Sequence, residues 1–147
     1  MLFLDKGYLE PGIHFMTWDK FYVQFNFSPK RKVLLEGLER AISKLRDCGC
    51  TVIYIDGSFV TEKLEPNDYD ACWDGDWDIV SENVLKIEPL FLDKDDFLAG
   101  RKKQKQKYKG EIFPSFLCAD SKGTTYLDFF QQVRFSTDKK GIVALKL

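Results

Sequence analysis

A regular hydrophobic pattern begins shortly after residue 28. Apolar side chains recur there every three or four positions: Leu34, Leu35, Leu38, Ala41, Ile42 and Leu45. This is the spacing of a helix with one buried face. Ser28 can cap such a helix and Pro29 suits its first turn. The pattern therefore predicts a helix over residues 30–47 that packs on one side.

Two shorter stretches have the composition of strands. CTVIYI, residues 50–55, is rich in β-branched side chains and runs directly into Gly57 and Ser58. NDYDACW alternates with a period of two, which places Asp68 and Asp70 on one face of a second strand. We expect the two strands to be neighbours in one sheet, with the helix packed against it.

Length and composition favour a single domain over residues 1–147, because 44% hydrophobic content can form a continuous core. The first 28 residues are aromatic and turn-rich, with a short helix predicted around residues 18–25, and we expect them to pack on that core as an N-terminal arm. A net charge of −1 excludes a protein that coats nucleic acid through bulk positive charge. The sequence has neither a membrane-spanning run nor a signal-peptide pattern, which predicts a cytoplasmic protein.

The strand ends carry candidate chemistry. A glycine turn after a strand, as at Gly57 and Ser58, lets a phosphate approach backbone N–H groups, although the same pair also forms ordinary tight turns. Asp68 and Asp70 would lie roughly 6–7 Å apart along one strand. Two carboxylates at that distance repel unless a cation lies between them, so the pair is either a solvated acidic face or a site for Mg²⁺ or Mn²⁺. Such ions could bind a nucleoside triphosphate (NTP) together with an attacking hydroxyl.

The combination of the two motifs is more specific than either alone. A Gly-Ser pair followed by nine residues and Asp-x-Asp, each after an apolar strand, resembles the signature of the nucleotidyltransferase fold superfamily. DGSFVTEKLEPNDYDACWD is most similar to a family of small nucleotidyltransferase-like proteins of bacteria and their mobile elements, related to minimal nucleotidyltransferases that act as antitoxins. The likeness extends to PGIHFMTWDKF and FFQQVRFSTDKKGIVALKL.

This resemblance implies an α+β fold in which a mixed β-sheet is flanked by helices, with metal and nucleotide bound at the sheet edge. It also implies that Gly57 and Ser58 contact the triphosphate and that Asp68 and Asp70 hold the metal ions.

Active relatives usually bring a third carboxylate from a later strand. Asp128, in TTYLDFF, matches best by its apolar flanks, and it would then join the catalytic metal site. The same stretch could instead form a short helix beginning at Thr125, with Asp128 pointing to solvent. Asp120, which follows the apolar SFLCA, is the alternative third carboxylate.

A basic cluster of six cations in nine residues extends from Arg101 to Lys109. It has two interpretations, an exposed helix face or a groove for phosphate or RNA next to the metal site. In the second, Lys103 and Lys107 share a helix face and would contact phosphate. Arg134 and Lys140 could add charge from a terminal hairpin.

Several other site types are excluded. The four cysteines contain no C-x-x-C pair, which favours free buried thiols over zinc ligands or disulfides. The aspartates of WDGDWD do not fit the spacing of an EF-hand and are interpreted as a solvated loop, with Asp78 capping a helix that runs through residue 86. His14 is the only histidine, and neither a nucleophile motif nor a P-loop or dinucleotide motif occurs.

The leading hypothesis is a Mg²⁺-dependent nucleotidyltransferase that moves a nucleoside monophosphate from an NTP to a hydroxyl of protein or RNA. Its rival is a binding module that keeps the fold without the chemistry and acts as an antitoxin-like or immunity-like partner of a toxin-like protein. A third carboxylate within reach of Asp68 and Asp70 would favour the enzyme, and a site with two carboxylates would favour the module.

Overall fold

The computed structural model describes residue 3 and residues 7–147, which adopt an α+β fold. Five strands form one mixed sheet: β1 (Gly12–Met16), β2 (Val52–Asp56), β3 (Tyr69–Asp74), β4 (Gly110–Pro114) and β5 (Gly141–Lys146). Their spatial order is β1-β5-β2-β3-β4. β1 is parallel to β5 and β3 to β4, whereas β2 is antiparallel to both of its neighbours. The prediction of an α+β fold with a mixed sheet flanked by helices is confirmed.

Six α-helices accompany the sheet in the described part of the chain: α1 (Trp18–Phe25), α2 (Pro29–Asp47), α3 (Trp77–Ile87), α4 (Lys94–Leu98), α5 (Lys102–Tyr108) and α6 (Tyr126–Phe129). α2 is the long helix that the periodicity predicts. Its first turn is capped by Ser28, whose Oγ accepts a hydrogen bond from the backbone N–H of Arg31 at 3.2 Å.

The cap of α3 differs from the prediction. Asp76, and not Asp78, precedes the helix in extended backbone, and its carboxylate accepts a hydrogen bond from the N–H of Asp78 at 3.1 Å. Asp78 lies in the first turn, where a negative charge interacts favourably with the helix dipole.

The face of the sheet that meets α2 holds most of the core. Leu38, Ile42 and Leu45 of α2 pack in one buried cluster with side chains of the two central strands, including Ile53 and Trp73. Since β2 and β3 pair directly, the predicted arrangement of two neighbouring strands covered by this helix is confirmed.

The opposite face carries a smaller core. Its buried members lie on the strands and on the residue that follows α6: Tyr54, Cys72, Phe113, Phe130, Ile142 and Ala144. α6 is only four residues long, and its Tyr126 and Leu127 pack against this smaller core.

The N-terminal segment is part of the sheet as well as of the core. β1 adds an edge strand beside β5, and Phe21 and Phe25 of α1 are fully buried. Residues 1, 2 and 4–6 of the predicted arm lie outside the described residues. Within the described residues, no helix combines the length and apolar character that crossing a membrane requires.

Candidate functional site

The strand register places acidic side chains next to one another at one end of the smaller-core face. Asp56 pairs with Asp70 across β2 and β3, and Asp70 pairs with Glu111 across β3 and β4. Paired residues on neighbouring strands point to the same face, and Asp68, two positions before Asp70, points there as well. Carboxylates from three adjacent strands therefore meet at this end, which we call the acidic end (Asp56, Asp68, Asp70 and Glu111).

Burial disfavours the charged forms of the three aspartates, and repulsion by acidic neighbours adds to it at Asp68 and Asp70. Burial first, and then repulsion by Asp68 and Asp56, raises the pKa of Asp70 to about 7. Burial likewise raises the pKa of Asp56 to about 6, against the attraction of Lys140. The pKa of Asp68 is also raised by burial, opposed by Lys105. A cation arriving at the acidic end would relieve this repulsion.

Two lysines already pair with part of the acidic end. Lys140 Nζ lies 3.2 Å from Asp56 Oδ1, and Lys105 Nζ lies 2.9 Å from Glu111 Oε1. The contact with Lys140 falls outside hydrogen-bond geometry, so the buried Asp56 Oδ1 has no hydrogen-bond partner among the described residues. The two aspartates of the Asp-x-Asp motif form no salt bridge within the same set.

The Gly-Ser turn lies directly against Asp70. Gly57 has φ of +84° and ψ of −169°, a conformation found almost only in glycine. A Cβ at this position would come within 2.9 Å of Asp70 Oδ2. Glycine is therefore required both by the backbone and by the neighbouring carboxylate. The two halves of the motif, nine residues apart in sequence, are in contact in the fold.

Arg31 of α2 fixes the loop that follows the turn. Its guanidinium is fully buried and donates hydrogen bonds to the carbonyl oxygens of Phe59 (2.6 Å), Thr61 (2.8 Å) and Lys63 (2.7 Å). It also lies 4.0 Å from the centroid of the Phe27 ring. Burial lowers the pKa of Arg31 to about 10, so it remains a cation at neutral pH. This role was not predicted, although Arg31 lies three and seven positions before Leu34 and Leu38 and therefore shares their buried helix face.

Two clefts open on either side of the turn. The larger, of about 1130 Å³, is lined by Asp56, Gly57, Asp70 and residues of the 129–137 segment. The smaller, of about 470 Å³, shares Gly57, Ser58 and Lys140 with it. The rim of the larger cleft also carries Arg134 and an aromatic side chain, Phe135, which is 96% exposed. The acidic end is thus reached through a cleft with both cationic and aromatic walls.

The two predicted third carboxylates lie elsewhere. Asp128 is exposed on α6, whose cap Thr125 accepts a hydrogen bond from the N–H of Asp128 at 3.3 Å. This is the helical alternative of the sequence analysis, and Asp128 is not among the described residues that line the larger cleft. Asp120 accepts hydrogen bonds from the N–H groups of Lys122 and Thr124 and so closes a surface turn. Neither Asp128 nor Asp120 lies on a strand that pairs with β3 beside Asp70.

Glu111 is the carboxylate that a later strand brings beside Asp70, and sequence analysis did not single it out. The available signal was the apolar GEIFP stretch directly after the basic cluster, which is β4. Recognising Glu111 from this signal would have required the pairing of β4 with β3, and the register of non-local strands cannot be obtained from one sequence.

The basic cluster forms α5. Its residues make contacts within the protein that were not predicted from the sequence. Lys107 Nζ forms a salt bridge with Glu88 Oε2 at 2.5 Å. Lys103 is exposed, and its backbone N–H donates to Asp96 Oδ1 at 2.7 Å. The lysine of α5 that pairs with a carboxylate of the acidic end is Lys105.

Comparison with protein families gives one assignment. The model of a family of unknown function, DUF6932, matches residues 1–146. The chain belongs to this family. No curated protein and no solved structure matches it.

The acidic end of this DUF6932 protein offers only oxygen donors, which are the ligands that Mg²⁺ and Mn²⁺ prefer. Among the described residues, no group of three or more His, Cys, Asp or Glu side chains is arranged so that it could hold a metal ion. Mg²⁺ at phosphate-transfer sites commonly uses one or two carboxylates, with water and substrate phosphates completing its shell. The buried Asp56 Oδ1 contacts Lys140 but has no hydrogen-bond partner among the described residues, and the Asp-x-Asp pair forms no salt bridge there. These groups fit a metal of that kind, bound together with a nucleotide.

Proposed function

We propose that this protein is a metal-dependent nucleotidyltransferase, which moves a nucleoside monophosphate from an NTP to a hydroxyl of protein or RNA. The observation that carries the proposal is the contact between Gly57 and Asp70 at the mouth of the larger cleft. It joins a glycine turn, which exposes backbone N–H groups to a phosphate, to a carboxylate suited to a metal ion.

The residues would divide the work between phosphate and metal. Gly57 and Ser58 would contact the triphosphate, with Lys140 adding positive charge at the same turn. Asp68 and Asp70 would hold Mg²⁺ or Mn²⁺. When bound, the metal supplies charge stabilisation for the transferring phosphoryl group. Metal ligands must be deprotonated, so the raised pKa of Asp70 would make metal binding release a proton near neutral pH.

Glu111 is the better candidate for the third carboxylate than Asp128. It lies in register with Asp70 on the neighbouring strand, whereas Asp128 is exposed on α6. For Glu111 to contact metal or an acceptor hydroxyl, Lys105 would have to release it, since the two side chains are 2.9 Å apart.

We place this reaction in the cytoplasm, where NTPs and Mg²⁺ are abundant. The cysteines support that choice, because all four are free and three of them are buried. The acceptor, a protein or an RNA, would approach from the open side of the larger cleft, past Arg134 and Phe135.

A second candidate function, the binding module, has one observation in its favour. Lys140 and Lys105 already neutralise Asp56 and Glu111, so the protein supplies part of the charge that metal ions would bring. A module of this kind would bind a toxin-like protein or RNA without transferring anything.

The experiment that separates the two uses NTPs labelled on the α-phosphate, Mg²⁺ or Mn²⁺, and cell lysate as the source of acceptor. We expect label transfer by the wild type and none by the double variant D68N/D70N. The matched control is D78N/D95N, which removes two charges from exposed aspartates by the same chemical change. It should transfer label like the wild type.

Stability and metal binding are measured on the same variants. Saturating Mn²⁺ should raise the Tm of the wild type and of the control, by mass action on the native state, but not that of D68N/D70N. Without metal, D68N/D70N should be as stable as the wild type or slightly more so, because mutual repulsion is removed. If D68N/D70N folds, loses metal and still acts on cells as the wild type does, the enzyme proposal is wrong and the binding module stands.

A further inference from the structure

A separate cavity of about 460 Å³ lies beside the C-terminal end of the edge strand β4. Its walls are mostly aromatic and apolar: Trp77, Phe91, Phe97, Pro114, Leu117 and Tyr126. Pro114 ends β4, roughly 10 Å along the strand from Glu111, so the cavity is distinct from the acidic end. Binding sites for small molecules have this volume and character, an apolar cavity with a few polar groups.

Arg101 supplies the main polar group of this cavity. Its guanidinium lies between two aromatic rings, 3.9 Å from the centroid of Phe113 and 4.6 Å from that of Phe97. Its backbone is left-handed, with φ of 57° and ψ of 35°. That conformation costs a residue with a side chain about 1–2 kcal/mol, and such strain is concentrated at functional sites. Glycine would avoid the cost, yet an arginine occupies the position.

Arg101 forms no salt bridge among the described residues. Asp93 also lines the cavity, but its carboxylate caps α4 by accepting hydrogen bonds from the N–H groups of Asp95 (2.9 Å) and Asp96 (3.2 Å). Lys94 adds a second cation to the lining. Burial lowers the pKa of Arg101, and this effect is opposed first by Tyr126 and then by the negative charges of Glu111 and Asp96.

We propose that this cavity binds a small carboxylate with an aromatic or short acyl body. The carboxylate would accept two hydrogen bonds from the planar guanidinium of Arg101, and the body would fill the space between the aromatic walls. A single guanidinium close to two aromatic rings suits a planar monoanion better than a phosphate dianion, which needs more donors. The inference does not depend on nucleotidyl transfer, since no residue of the acidic end takes part.

The test uses 1-naphthoate as the probe and 1-naphthalenemethanol as its neutral counterpart, with the full chain and calorimetry or fluorescence as the measurement. We expect the acid to bind more tightly than the alcohol. R101Q should weaken naphthoate binding at least tenfold and change binding of the alcohol less than twofold. R101G should lose naphthoate in the same way while its Tm rises, because the left-handed strain is relieved, and this variant guards against an unfolded R101Q.

Cys118 gives an independent readout. Its thiol is exposed and lines the cavity, whereas Cys48, Cys50 and Cys72 are buried. Saturating naphthoate should slow the reaction of Cys118 with a thiol reagent in the wild type and not in R101Q. The proposal is overturned if the alcohol binds as tightly as the acid, if R101Q binds naphthoate like the wild type, or if naphthoate leaves Cys118 reactivity unchanged.

Discussion

The two faces of the sheet carry hydrophobic cores of different size. On the face covered by α2, 25 buried residues form one continuous cluster. On the other face the corresponding cluster has six, gathered under α6. Hydrophobic burial is the dominant favourable term in folding, so the first face supplies most of the stability.

The smaller core has a second consequence. Because it contains few side chains, the same face also carries the polar groups of the acidic end, and an aromatic cavity lies beside the far end of β4. Along β4, Glu111, Phe113 and Pro114 contribute to the acidic end, the small core and the aromatic cavity in turn. Most of the hydrophobic burial therefore lies on the α2 face, and the acidic end lies on the opposite face.

The largest expected effect contrasts two leucines on the two faces. Leu38→Ala, at a fully buried position of α2, should lower the free energy of unfolding by about 2–5 kcal/mol, since it leaves a cavity in the larger core. Leu127→Ala, at a partly buried position beside the smaller core, should cost about 1 kcal/mol. Urea unfolding of both variants gives the comparison. Equal losses would contradict the assignment of stability to the α2 face.

A smaller effect tests the Gly-Ser turn with a matched glycine. Gly57→Ala should cost about 1–3 kcal/mol, because φ is +84° and the new Cβ would meet Asp70 Oδ2 at 2.9 Å. Gly123→Ala has a similar φ, +82°, and nothing within 4 Å, so it should cost only the backbone strain, about 1 kcal/mol. The Mn²⁺-induced rise in Tm should disappear in Gly57→Ala alone. If the Mn²⁺-induced rise in Tm disappeared in both variants, the Gly57 turn would have no specific role in metal binding.

The elements of the α2 face could be predicted because their signals are local. The periodicity of α2, its cap at Ser28 and the β-branched run of β2 each lie within a few residues of sequence. Gly57 and Asp70 were expected in one site for a different reason, since the spacing of the two motifs resembles a known arrangement, and the structure brings the two residues into contact.

What could not be predicted depends on non-local pairing. Glu111 joins the acidic end through the register of β4 against β3, and Lys105 reaches it from the neighbouring helix. Asp128 has strand-like apolar neighbours, yet Thr125 caps a helical turn there. Arg31 shares the buried face of α2 by its spacing from Leu34 and Leu38. The five backbone carbonyls that accept hydrogen bonds from its guanidinium all lie outside its own helix, and a single sequence does not bring them together.

The identity of the third carboxylate can be tested by an effect of intermediate size on Mn²⁺ affinity. Glu111→Gln should lower Mn²⁺ affinity about tenfold, or about 1.4 kcal/mol, because it removes a negative charge in register with Asp70 and leaves Lys105 unpaired nearby. Asp128→Asn removes the same charge from an exposed position on α6 and should leave the affinity unchanged. Titration with Mn²⁺ measures both. A larger loss in Asp128→Asn would restore the assignment made from sequence.

The smallest expected effect is a pH dependence that belongs to the acidic end. The pKa of Asp70 is raised from 3.8 to about 7 by burial first and by its acidic neighbours second. Between these values the folded protein holds a proton that the unfolded chain releases, so stability is highest below about pH 4 for this group and falls as pH rises through 7. From pH 6 to pH 8 the loss should be about 1 kcal/mol, or about 2–4 °C in Tm. Asp56, with a pKa raised to about 6, adds a loss in the lower part of the window.

Asp70→Asn isolates this term, since the amide cannot titrate and nearly keeps the side-chain volume. Its Tm should vary less between pH 6 and pH 8 than that of the wild type, whereas Leu127→Ala, on the same face but uncharged, should keep the wild-type slope at a lower Tm. Saturating Mn²⁺ should also reverse the wild-type trend, because the metal binds the deprotonated carboxylate that high pH favours. An unchanged slope in Asp70→Asn would mean that Asp70 is already ionised in the folded protein, and the repulsion that a metal is proposed to relieve would then be absent.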